Sequence, residues 1–212
     1  MKKYEFTGEE KLVDNHTLHR VRALRNFGMV KAGDLGGWIE GEDNLSHDGY
    51  AWVYGEAQVE GNACVTGGAR VGDNARVSGE ALVTGNALVS DAAWVYGWSQ
   101  VTGNAYVGGD ARVGGNARVT GSACVTGDAR VGGNARVTGS ADFSIIGGFG
   151  SFFRTTTFFR CKDGKVRTQC GCFYGDLNEF RAKVKKTHGE SKMAKEYLMI
   201  ADLMEMHFAK EG

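Results

Sequence analysis

Hydrophobic and polar positions along most of this chain repeat with a period of six. Valine recurs at every sixth residue from Val53 to Val137, fifteen times without a slip. Four residues after each valine a small residue returns, Ala57, Ala63, Ala69 and onward to Ala141, with Ser99 the lone exception. Two residues after the valine stands glycine in thirteen of the fifteen hexads, and Asp73 and Asp91 fill the other two. One inward apolar residue between two outward ones is a short strand. The glycine and the polar residue after it supply the backbone freedom of a corner. The alanine just past that corner points inward, where only a small side chain fits. Three such sides close an 18-residue triangular coil. One hexad buries too little to stand alone, so the coils must stack, with rungs about 4.8 Å apart. About five coils are predicted, with Phe143 and Phe149 continuing the valine register.

Both ends leave the period. KYEFTGEE and HTLHRVRALRNF read as a hairpin, and VKAGDLGGWIEGEDNLSHDGYAWVYG feeds the first coil. A terminal coil exposes strand edges and apolar ends, so a cap is physically required. Toward the C-terminus, TTTFFRCKDGKVRTQCGCF predicts a second hairpin, turning on the two residues Asp163 and Gly164. That turn pairs Cys161 with Val166, putting Phe159, Cys161, Val166, Thr168, Cys170 and Cys172 on one face. Arg154, Arg160, Lys162, Lys165 and Arg167 then share the other, a candidate anion-binding surface. Asp176 and Glu179 form a capping box for one helix, Gly189 stops it, and Ser191 starts another, whose Met193, Tyr197, Ile200 and Met204 lie on one stripe. The expected organisation is a hairpin and cap over 1–38, a β-helix over 39–149 and a small α+β module over 150–212.

The strict hexad resembles that of the hexapeptide-repeat proteins, and the resemblance implies a mainly β fold: a left-handed parallel β-helix. The polymer-forming bactofilin-like proteins have similar short rungs without so strict a period. The N-terminal cap segment, with Leu45 and Val53 eight apart, resembles that of hexapeptide proteins commonly encoded by phages and prophages. Many hexapeptide proteins are acyltransferases and a few are carbonic anhydrases; both resemblances imply histidine, as a base or as zinc ligands. Here His16, His19, His47, His188 and His207 all lie outside the coils, and no excursion loop interrupts the register. The expectation is therefore a non-catalytic binding or assembly protein, with no catalytic residue, no cofactor and no metal. It reads as a phage or prophage accessory that binds a host partner or a small nucleotide. Two alternatives are an acyltransferase using His47 as base and a filament-forming structural protein.

Charge sharpens the picture only locally. The chain is neutral overall, with 25 basic and 25 acidic residues, but residues 51–150 contain no lysine, so their only cations are arginines. Adding 18 along one side stacks Arg76, Trp94, Arg112 and Arg130, with Tyr96 and Trp98 close by. Trp between arginines suits cation–π stacking, and such a patch is either the contact face of a homo-oligomer, with a trimer expected, or a nucleotide site. A ladder of Thr66, Thr84, Thr102, Thr120 and Thr138 is ordinary outward strand chemistry. Five cysteines without a framework spacing fit a reducing bacterial cytoplasm. Cys161 and Cys170, too far apart along the hairpin, do not make a zinc site with Cys172 and His188. No run of apolar residues is long enough for a membrane span.

Overall fold

The computed structural model describes residues 2–150 and 153–209, without the side chains of Ser140 and Arg154. Fifteen two-residue strands, from Trp52–Val53 to Arg136–Val137, each end on one of the fifteen valines. They stack in parallel: Trp94 lies between Arg76 and Arg112, and Val95 between Val77 and Val113. The result is a three-sided β-solenoid whose valine column, to Val137, and alanine column, to Ala135, are buried. Ser99 sits in the alanine column, where its hydroxyl donates to the Tyr96 carbonyl at 2.8 Å. At the corners from Gly55 to Gly133 the residue two after the valine takes a left-handed backbone, and Asp73 and Asp91 adopt it too, at φ +57° and +60°. Aspartate tolerates that region because its side chain bonds nearby backbone. Asp91 accepts from the Gly109 N–H at 2.8 Å and the Tyr106 hydroxyl at 2.9 Å.

The N-terminal cap is a hairpin of β1 (Tyr4–Val13) and β2 (His16–Ala23). Its turn residues Asp14 and Asn15 both have positive φ, as a type I′ turn requires. Strand β3 (Leu35–Ile39) pairs antiparallel with β2 and parallel with Gln58–Val59, so the hairpin extends one side of the prism. Below it Lys3 is fully buried and donates to the Ala51 carbonyl at 2.7 Å.

The C-terminal end departs from the hexad expectation. The last rung is Arg136–Val137; Phe143 and Phe149 bound a strand, Phe143–Phe149, that joins Arg154–Arg160, Val166–Cys170 and Phe173–Asp176 in an antiparallel sheet. The hairpin register is also one residue from that predicted: Phe159 lies opposite Arg167, and Arg160 opposite Val166. Its turn uses three residues, not two. Gly164 N–H donates to Cys161, Cys161 N–H donates to Lys165, and Gly164 takes φ +76°. A one-residue slip exchanges every side chain between faces. Phe158 and Thr168 are therefore buried on the helix side, while Phe159 and Cys161 join the solenoid core and plug its open end. The isolated bridge Ala135–Cys161 ties the two together.

Helix α1 (Leu177–His188) begins on the predicted box: Asp176 Oδ1 accepts from Asn178 and Glu179 N–H, and Glu179 accepts from Asp176 N–H at 2.7 Å. Ser191 caps α2 (Lys192–His207), whose Tyr197, Ile200 and Met204 pack with Phe158 and Phe180. No described helix is long and apolar enough to cross a membrane.

Candidate functional site

The hairpin tip brings a histidine against the outside of the coils. The short turn holds His16 where its Nδ1 lies 2.9 Å from Glu40 Oε2, and the same oxygen accepts from Gly61 N–H at 2.7 Å. The Glu40 hydrogen bond raises the His16 pKa above its ordinary 6.5, and the His16 and Gly61 bonds lower that of Glu40. Nε2 of His16 has no hydrogen-bond partner among the described residues. Next to it, Arg76 pairs with Asp14 of the turn at 2.7 Å and, through Nε and Nη2, with one oxygen of Glu60. The other Glu60 oxygen is buried and unpartnered among the described residues. Burial of an unpaired carboxylate oxygen is costly, and the two Arg76 bonds to its twin oxygen offset part of that cost.

From this cluster the predicted column runs down one side. The Arg76 and Arg112 guanidinium carbons lie 5.6 and 5.8 Å from the Trp94 ring centre. Trp94 Nε1 donates to Ser78 Oγ at 2.9 Å, and Tyr96 packs on Trp94 at 4.7 Å. Tyr96 lies over Gly114, where a Cβ would stand 2.3 Å from its Cζ. Trp98, at the next corner, is 56% exposed. Arg112 and Arg130 then enter a cleft of about 540 Å³ between the solenoid and the C-terminal sheet, lined also by Asp110, Asp128, Thr155 and Cys172. Arg76 is thus committed to carboxylates, while Arg112 and Arg130 make no ion pair among the described residues.

The five-cation face of the C-terminal hairpin does not form. The register slip puts Arg160 and Arg167 on opposite faces, Arg160 pairing with Asp142 at 3.3 Å and Arg167 with Asp163 at 2.8 Å. Lys162 and Lys165 belong to the turn region, and the Arg154 side chain lies outside the described residues. Cys161 and Cys170 likewise stand on opposite faces; Cys161 belongs to the solenoid core, and Cys170 accepts from Thr156 Oγ1.

His47 is not a free base. Its Nδ1 accepts the Lys3 N–H at 3.1 Å, its ring stacks on Tyr4 at 4.3 Å, and its Nε2 is buried near Glu42. It holds the cap together. His16 is the residue that spacing along the chain did not single out, because it reaches the coils from a hairpin and not from within a hexad.

The stacked parallel rungs define a repeat β-solenoid protein. A family model described as the YdcK beta solenoid repeat matches residues 111–127 and 129–141. A curated protein, the "Uncharacterized acetyltransferase YdcK" of Escherichia coli (strain K12), is 32% identical over 82 residues, covering 32% of this chain and 25% of that protein. The chain thus spans about a quarter of the length of the curated relative it matches. This similarity overturns the non-catalytic expectation. That expectation counted only histidines inside the coils, and the hairpin sets His16 beside them.

Proposed function

We propose that the protein transfers an acyl group from a thioester donor, with His16 as general base. The His16–Glu40 bond carries this reading. A carboxylate on Nδ1–H fixes the tautomer whose Nε2 lone pair faces outward, ready to accept a proton. In the reaction an acceptor hydroxyl or amine gives its proton to Nε2 as its oxygen or nitrogen attacks the thioester carbonyl. The C–S bond then breaks, and the departing thiolate takes the proton from the imidazolium. A nucleotide-bearing donor such as acetyl-coenzyme A would place its phosphates on Arg112 and Arg130, the unpaired arginines of the column, with its thioester arm running back along the prism to His16. Arg130 lies four rungs from Gln58, the rung level of the cluster, about 19 Å along the prism.

The test is thiol release from acetyl-coenzyme A with a panel of amine and sugar acceptors. His16→Gln is expected to lower kcat by about 10²–10⁴, and Arg112→Gln with Arg130→Gln to raise the donor KM. Full activity in His16→Gln, or no thiol release by the unaltered protein across the panel, overturns the reading. A supporting proposal concerns assembly: exposed Trp98 marks the face through which subunits of a trimer meet. Sedimentation of Trp98→Glu should then show the smaller species.

A further inference from the structure

A second side of the prism carries a recess that the hexad pattern does not announce. It has a volume of about 680 Å³ and lies between the first rungs of the Trp52, Arg70, Leu88 column and the loop joining β2 to β3. Phe27 and Trp52, edge to face at 5.3 Å, form its base. Tyr54 lies flat along it, over Gly72, where a Cβ would stand 1.9 Å from the phenol ring. Tyr50 and Leu35 are 65% and 51% exposed at its rim.

The recess is held open by a firm loop. Phe27 and Val30 exchange backbone hydrogen bonds at 3.0 and 2.9 Å. Asn26 Oδ1 accepts from Ala32 N–H at 2.9 Å, and Asp34 Oδ2 from Lys31 N–H at 2.8 Å. Asp34, the carboxylate on the recess wall, has one oxygen held by the loop and stays exposed on the loop side of the recess. Arg70 stands exposed on its strand between Trp52 and Leu88, with no ion pair or side-chain hydrogen bond among the described residues. Flat aromatic walls beside one unpaired guanidinium match a planar ring that carries a negative charge.

We infer that this recess binds a flat aromatic anion, its ring against Tyr50 and Tyr54 and its anionic group on Arg70. The site is separate from the His16 face, and its test uses no turnover, so either reading can fail without the other. The probe is naphthalene-2-carboxylate, followed by calorimetry and by saturation-transfer NMR on the full chain. Arg70→Gln is expected to weaken binding by about 10-fold or more, the loss of one charge-assisted pair. Tyr50→Ala should weaken it about threefold, while Arg112→Gln leaves it unchanged. Naphthalene-2-methanol should bind about 10-fold more weakly than the carboxylate. Equal binding of the two compounds, an unaltered affinity in Arg70→Gln, a loss in Arg112→Gln, or no binding at millimolar probe each overturns the inference. Arg70 is outward on its strand, and matching melting curves for Arg70→Gln and the parent keep a folding defect out of the comparison.

Discussion

Gly103 stands at a corner with φ +72°, directly over the Gly121 corner of the next coil. Replacing it with alanine asks two things of the backbone. An L-residue in the left-handed region costs roughly 1–2 kcal/mol. The new Cβ would also lie 2.9 Å from both the nitrogen and the oxygen of Gly121, tighter than van der Waals contact allows. Those atoms belong to backbone and cannot swing aside, so the rungs must part. Parting them loosens the 2.7 Å bond from Asn104 N–H to the Gly121 carbonyl, worth about 1 kcal/mol. The expected loss is therefore about 2–3 kcal/mol, or roughly 4–12 °C in melting temperature for a chain of this size. The matched control is Gly132→Ala, outside the left-handed region and with no atom within 4 Å of its Cβ. It should be neutral or gain up to about 1 kcal/mol through the unfolded state. Thermal unfolding by circular dichroism, one variant beside the other, decides the matter. Equal melting temperatures for the two would refute the corner-stacking account.

Three further outcomes are expected. The rate of acyl transfer should fall on the acid side through a pKa above 6.5, since Glu40 holds the proton on His16, and Glu40→Gln should move that limb downward; a pH profile of kcat/KM reads both. Burial holds the Lys3 ammonium down to about 8, from 10.5, so between those values the unfolded chain binds more protons and stability rises with pH. Lys3→Met should flatten that rise, by up to about 3 kcal/mol in urea titrations. Above pH 10 the Tyr4 phenol, pushed up by burial, acts in the opposite direction. Finally, Asp176→Ala removes two capping bonds from α1 and should cost about 1–2 kcal/mol by the same titration.

What the sequence discloses depends on how local the determining contacts are. The solenoid is legible because each hexad repeats one solution, inward valine, corner glycine, inward alanine, and even the exceptions Asp73 and Asp91 obey it. The capping box at Asp176 is legible for the same reason, since its partners lie within three residues. The C-terminal hairpin misleads because Asp163-Gly164 serves a two-residue or a three-residue turn equally well. Only the tertiary demand that Phe159 fill the coil end and Phe158 the helix core chooses between them. The Arg76, Trp94 and Arg112 stack follows from adding 18, whereas the departure of Arg76 to Asp14 and Glu60 does not. His16 and Glu40 are 24 positions apart and meet only because β2 and β3 are neighbours in the sheet. The Tyr50–Arg70 recess needs the loop after β2 folded across a strand column, and no periodicity encodes that.

Both ends of the prism are covered, by the β1–β2 hairpin above and by Phe159 below, and the fifteen two-residue strands between them make five whole coils. The separation between His16 and the Arg130 cleft can then change only in steps of one rung, about 4.8 Å, by gain or loss of 18 residues. Removing six residues instead turns the C-terminal sheet onto a neighbouring side and carries its cleft away from Trp94. The repeat thus works as a graduated ruler, in which reach and bearing are written together in the number of hexads.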